Sequence, residues 1–176
     1  AFRLLMRAKW FWHWPRQSDV LIYDAVRLDT LMEYLNSWHP EVLHLRGEQI
    51  YIRVLLKSLF RGGVKTHAYI DCFIEKMRPR LVVTFVDNDI SMIFCTISQR
   101  HPEVKTLLIQ NGWRDGTEDF FSNLEKMDFD TLGKFYVDYM LTFGSLVSGK
   151  YSQYIQGNTV PIGSITNNGV VKESLS

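Results

Sequence analysis

Asp87, Asn88 and Asp89 occupy three consecutive positions directly after the apolar run LVVTFV at 81–86. Two carboxylates one residue apart can hold a divalent cation beside phosphate oxygens if both point the same way. One of them can instead act as a base or nucleophile toward a sugar. The same residue types also begin helices. Asn88 or Asp89 could accept hydrogen bonds from the first free amides of a helix over 90–100 and favour its positive end. Gln110-Asn111-Gly112 follows a second apolar run, VKTLLI. Carboxamides both donate and accept, which suits sugar hydroxyls; the alternative is a turn with Gly112 at positive φ. Arg114 nearby could pair with a carboxylate or phosphate. Gly144-Ser145 opens a helix after a strand, a crude anion-binding arrangement.

These groups matter because of the elements that carry them. VLIY (20–23) predicts a strand ending at Asp24, and Leu28, Leu31, Leu35 and Trp38 then share one helical face. Pro40 stops that helix. EVLHLRG predicts a second strand ending at Gly47, and QIYIRVLLKSLFRGG a helix closed by Gly62-Gly63. HAYIDCFIEKM carries a helical stripe of Tyr69, Ile70, Phe73, Ile74 and Met77, broken by Pro79. LVVTFV, with Thr84 as its one polar residue, has the composition of a central parallel strand covered on both faces. ISMIFCTISQR predicts a helix ended by Pro102. After a polar segment over 113–130, FYVDYMLTFG predicts a strand. SLVSGKYSQYIQG predicts a helix with Gly157 as its C-cap, and TVPIG a last strand. HPEV occurs at 39–42 and again at 101–104, each time joining a helix to a strand.

Strands alternating with helices indicate an α/β, three-layer, Rossmann-like domain with a mainly parallel sheet of five or six strands. The expected organisation is an aromatic and basic segment over 1–17, the α/β domain over 18–165 and a polar tail over 166–176. In such sheets ligands bind outside the carboxyl ends of the strands. Those ends carry Asp24, Arg46-Gly47-Glu48, Asp87-Asn88-Asp89, Gln110-Asn111-Gly112, Gly144-Ser145 and Gly163-Ser164, and such tips can converge in space.

The chain has 176 residues, 46% hydrophobic and 14% aromatic, enough for a packed core and too apolar for disorder. Lys and Arg (20) nearly balance Asp and Glu (19), a net charge of +1, so no strong field for nucleic acid or a membrane surface is implied; the segment AFRLLMRAKWFWHWPR, with Arg3, Arg7, Lys9 and Arg16 and no acid, is a mild exception. Cys72 and Cys95 sit in apolar patterns without metal-type spacing, which reads as two buried thiols in a reducing compartment. No stretch reaches the ~18–20 apolar residues of a membrane span. Dinucleotide, P-loop and hydrolase-elbow motifs are absent. His39 and His101 sit in the HP joints and read as turn residues; His44 reads as a core histidine. Trp10, Trp12 and Trp14 alternate as in an aromatic edge strand, suited to packing, a carbohydrate platform or a partner surface.

WPRQSDVLIYD, EVLHLRGEQIYIRVLL, AYIDCFIEKMRPRLVVTFVDND, HPEVKTLLIQNGWR and VPIGSITNN together resemble a bacterial surface-carbohydrate (O-antigen or capsule) biosynthesis family. Its members are transferases distantly similar to GT-B glycosyltransferases, including retaining Kdo transferases. The resemblance implies that this chain is similar to the N-terminal, acceptor-side half of a two-domain enzyme. A nucleotide-sugar donor and a glycan or lipid-linked acceptor are then the implied partners. No cofactor and no bound metal are implied, and the implied location is cytoplasmic or at the inner face of the cytoplasmic membrane.

On that reading Asp87 is a catalytic carboxylate, with Asp89 assisting it or capping the helix and Glu48 a secondary acid/base candidate. Asn88, Gln110, Asn111, Gly112, Arg114, Gly144 and Ser145 would form the substrate-binding set. Two rival readings stay open: a sugar-nucleotide epimerase of the same architecture, and a non-catalytic binding or scaffold module of a polysaccharide assembly complex. A peripheral membrane or assembly-complex contact through the Trp-rich N-terminus, and homo-oligomerisation, stay open beside them.

Overall fold

The computed structural model describes residues 8–46, 48–63, 65–87, 93–112 and 135–167. The strands are β1 (Lys9–Phe11), β2 (Val20–Tyr23), β3 (Glu41–Leu43), β4 (Gln49–Tyr51), β5 (Leu81–Thr84), β6 (Lys105–Ile109), β7 (Phe135–Thr142) and β8 (Ile155–Pro161). Six of them form one wholly parallel sheet in the order β3-β2-β5-β6-β7-β8; β1 and β4 form a separate parallel pair. The helices are α1 (Leu28–Leu35), α2 (Ile52–Gly62), α3 (Thr66–Met77), the short α4 (Ile97–Arg100) and α5 (Ser145–Tyr154). The protein is a Rossmann-like α/β domain, as the alternating pattern predicts.

Because side chains alternate along a strand, each strand feeds two cores. Leu21, Tyr23, Val82, Leu108 and Met140 pack with Ile70, Phe73, Ile74, Phe94, Val147 and Tyr151. Val20, Ile22, Val83, Phe85 and Ile109 face the other way, against Leu28, Leu31, Met32 and Leu35 of α1. Each such buried side chain stabilises the fold by roughly 1.5–3 kcal/mol before entropy is counted. VLIY is buried at all four positions, which is why it lacks polar alternation.

The proline stops act as expected. α1 passes into a 3₁₀ turn at Asn36–Trp38, and His39, before Pro40, takes φ 47°. Arg78, before Pro79, takes φ 57° and donates its N–H to the Ile74 carbonyl. Gly63 closes α2 at φ 80°. Cys72 and Cys95 are both buried free thiols.

Four expectations need correction. Gln49–Tyr51 is a strand, not the start of α2. Phe11 stacks on Tyr51, and the Tyr51 N–H is taken by the Tyr69 hydroxyl, so tertiary contacts override the helical pattern. Trp38 leaves the α1 stripe because the 3₁₀ turn rotates it outward, and it is 60% exposed. His101 is more than a turn residue: it is buried, and its Nε2 lies 3.0 Å from Asp71. Gly157 is not a helix cap. It lies inside β8 at φ 138°, where an added Cβ would stand 1.8 Å from the Val137 carbonyl oxygen. That close approach coincides with a register shift between Tyr136 and Tyr139 in β7, and only glycine fits it.

The same irregularity is bound by side chains. Asp138 Oδ2 accepts from the Thr106 N–H (3.0 Å) and from Ser98 Oγ (3.0 Å), while the Asp138 N–H donates to Thr106 Oγ1 (3.0 Å). Lys105 Nζ reaches Oδ1 at 2.7 Å. Burial pushes the Asp138 carboxyl up, but the bonds from Lys105, Thr106 and Ser98 outweigh it and hold the group below the usual carboxylate range.

Candidate functional site

The sheet grows outward from β2 in two directions, to β3 on one side and β5 on the other, so the chain reverses between β2 and β5. A crevice opens outside the carboxyl ends of strands at such a reversal. The Thr84 hydroxyl closes its floor. It donates to the Tyr23 carbonyl (2.8 Å) just past the last paired residues of β2 and β5, and accepts from the Val86 N–H (3.0 Å).

On the β2 side, Asp24 takes φ 66°, a conformation that Asp tolerates better than most residues. Its buried carboxylate accepts from the Ala25 N–H and, at 2.9 Å, from Nε of Arg46, which lies three residues past β3 because that strand ends at Leu43 rather than running on toward Gly47. Because the pair uses Nε, the terminal nitrogens of Arg46, whose side chain is 63% exposed, remain for an anionic group. Arg27, at φ 54°, extends Nε to Asn111 Oδ1 at 3.4 Å. Since β5 lies between β2 and β6, this contact spans the tip of β5.

On the β5 side stands Asp87, with no exposed surface. Its Oδ2 accepts from the Asn111 N–H (3.0 Å) and the Tyr151 hydroxyl (3.3 Å), so one carboxylate joins the tips of β5 and β6 to helix α5. Gln110 is equally committed. Its Oε1 accepts from the Phe143 N–H at 2.8 Å, and its Nε2 donates to the Gly112 carbonyl at 2.9 Å. Thr142 and Ser148 share a hydroxyl contact of 2.5 Å at the base of α5.

The structure thus brings Asp87, Gln110, Asn111 and Gly112 together at adjoining strand tips. Asn111 is half-buried and alone among them links across to Arg27. Gly112 is not at positive φ, and nothing lies within 4 Å of a Cβ added there, so the turn does not require glycine. Gly144 has an extended backbone at φ −174°, and Ser145 is exposed at the start of α5. Glu48 is not brought to Asp87. It lies beyond edge strand β3, its carboxylate 3.7 Å from His44 Nδ1. Asn88, Asp89 and Arg114 lie outside the described residues, so the paired-carboxylate geometry is not described. Among the described residues no group of three or more His, Cys, Asp or Glu stands together as a metal set would.

Sequence reasoning passed over Arg27 and Tyr151. Arg27 could have been found as the fourth residue after a strand, within reach of any tip-bound ligand. Tyr151 carries no such signal, because its register on α5 reads simply as core. A cavity of about 550 Å³, lined in part by Asp19, Leu35, Trp38, Arg80, Glu103 and Lys105, lies at the opposite, amino-terminal rim of the sheet. It is about a strand length from the crevice.

A family model described as "putative O-antigen biosynthesis protein" matches residues 107–176. The matched stretch contains the tip of β6, all of β7, α5 and β8, and therefore Gln110, Asn111 and Tyr151. From Leu107 onward the chain is similar to an O-antigen biosynthesis family whose description names no reaction. No curated protein and no solved structure matches the chain. No helix among the described residues is long and apolar enough to cross a membrane.

Proposed function

We propose that this chain is the acceptor-side α/β domain of a glycosyltransferase in bacterial surface-polysaccharide biosynthesis, moving a sugar from a nucleotide-activated donor to a glycan or lipid-linked acceptor. One observation carries the reading: the crevice between β2 and β5 gathers Asp24, Arg46, Arg27 and Asn111, on a chain whose latter part is similar to an O-antigen biosynthesis family. Asn111 and the Asp24 carboxylate offer partners for hydroxyls. Arg46 and Arg27 offer guanidinium groups for the carboxylate of an acidic sugar or for a phosphate.

Asp87 enters this reading as a positioning residue. It is fully buried, and it holds the Asn111 main chain that forms one wall of the crevice. The residues that would touch substrate are Arg46, Arg27 and Asn111. Asp89 and Arg114 remain candidates for chemistry on the grounds of their sequence positions alone.

The test is transfer activity of the whole protein with nucleotide sugars and a lipid-linked or glycan acceptor, read by mass spectrometry. Arg46→Ala and Arg27→Ala should each lower kcat/KM at least about tenfold, the effect of losing one charge-assisted contact. Arg27→Ala should preserve the thermal midpoint, whereas Arg46→Ala, which leaves the buried Asp24 carboxylate without its partner, should lower it, so its activity is read well below that midpoint. Transfer at the wild-type rate in both variants would remove the crevice from the reaction. Conversion of the nucleotide sugar without any acceptor would favour an epimerase. A second reading, a non-catalytic sugar-binding module, draws on the engagement of Asp87 and Gln110 by the fold itself. It requires sugar binding at the crevice without turnover.

A further inference from the structure

Helix α2 presents an outer face that is both apolar and basic. Only Val54 and Ser58 of its residues are buried. Phe60 is 92% exposed, Leu56 48% and Leu59 39%, and Arg53, Lys57, Arg61 and, just beyond the helix, Lys65 are exposed among them. Between Gln49 and Ile70 the chain contains no Asp or Glu. Lys57 and Arg61 both pair with Glu75 of α3, so part of this charge is balanced locally, while Arg53 and Lys65 have no acidic partner among the described residues. The strand that leads into α2 is β4, and its neighbour β1 carries Trp10, 44% exposed, followed by Trp12, 72% exposed.

We propose that α2, together with the adjoining Trp10–Trp12 segment, docks the protein on the surface of a bilayer containing anionic lipid. A basic amphipathic helix with aromatic residues lies in the membrane interface by burying its apolar side chains at the acyl boundary while its cations meet the headgroups. Trp is the residue type most at home at that depth. The charge decides against a second copy of this chain, because self-docking would set two faces against each other in which Arg53, Lys57, Arg61 and Lys65 outnumber Glu75. The shape decides against a protein groove-binder. Phe60 projects from a convex helix, and a fluid acyl layer accepts such a wedge without a preformed pocket. The cavity at the amino-terminal rim and the apolar cleft beside α1 lie elsewhere. The inference stands apart from the transferase reading, since it concerns a different face and needs no activity.

The experiment is co-sedimentation of the whole protein with vesicles of phosphatidylcholine alone and of phosphatidylcholine with one-third phosphatidylglycerol, at low and high salt. The expected result is binding to the anionic vesicles only, weakened at high salt as the Debye length shrinks. Phe60→Asn should reduce partitioning about tenfold or more, and Arg53→Gln about fivefold. Both positions are exposed, and an unchanged thermal midpoint verifies that the variants fold. The proposal is overturned by absence of binding to either vesicle, by equal binding to both, or by Phe60→Asn binding like the wild type. It is equally overturned if light scattering shows a dimer that Phe60→Asn dissociates, which would give the face to a second copy.

Discussion

Asp87 and Asp138 are two buried carboxylates with nearly the same immediate surroundings. Each accepts a main-chain N–H from β6 or its tip, Thr106 within the strand for Asp138 and Asn111 just beyond it for Asp87, and each accepts from a hydroxyl. Their places in the sheet differ. Asp138 lies toward the amino ends, where it binds β7 to β6 at an irregularity and is paired with the exposed Lys105. Asp87 lies at the carboxyl ends, where it gathers β5, β6 and α5 beside the crevice. Burial and hydrogen bonding alone therefore do not mark a functional carboxylate. What matters is which group the carboxylate holds, and Asp87 holds Asn111, which links across the tip of β5 to Arg27 and which the proposed transferase reading places against substrate.

The widest separation between the two should come from Asp87→Ala. It strips the acceptor from the Asn111 N–H and the Tyr151 hydroxyl in a fully buried place, at a cost of about 3 kcal/mol in a denaturant titration. It should also lower transfer activity beyond what stability explains. Asp87→Asn sharpens the point. A positioning role predicts partial activity and partial stability, whereas a catalytic role predicts a stable, inactive protein.

Asp138→Ala should cost less, about 2 kcal/mol, because Ser98 and Thr106 can partly bond each other at 3.0 Å, and it should leave transfer unaffected once the protein is folded. If Asp138→Ala abolished transfer in folded protein, the contrast between the two aspartates would break. Tyr151→Phe removes the hydroxyl donor to Asp87 and should cost about 1 kcal/mol.

The smallest effect is one of pH. The folded Asp138 carboxyl ionises below its unfolded value of about 3.9. The unfolded chain therefore binds the proton more readily, and the stabilisation is present above that value and lost as pH falls through the folded one. Asp138→Asn should flatten this acid limb in a thermal-midpoint profile. Lys105→Met should move the limb to higher pH, because the ammonium is one of the groups that hold the carboxyl down.

Much of this arrangement is legible in the sequence. VLIY, LVVTFV and KTLLI identify central strands because buried parallel strands tolerate few polar residues. Pro40, Pro79 and Pro102 delimit the helices because proline removes a backbone donor. The position of Asp87 and Gln110 at strand tips follows from those bounds. Their engagement by the fold does not, because the donors come from Phe143 and Tyr151, far along the chain. Likewise QIY reads as the first turn of a helix, and only Phe11 and Tyr69 make it a strand. Gly157 reads as a cap until β7 is seen to approach within reach of its missing Cβ.

Local composition therefore determined the α/β class, the parallel sheet and the rim at which polar groups collect, since these depend on short-range periodicity and on backbone hydrogen bonding. The tertiary structure decided which polar residues face the crevice and which hold the sheet together. That choice depends on strand order and on partners separated by scores of residues, and no local pattern encodes either.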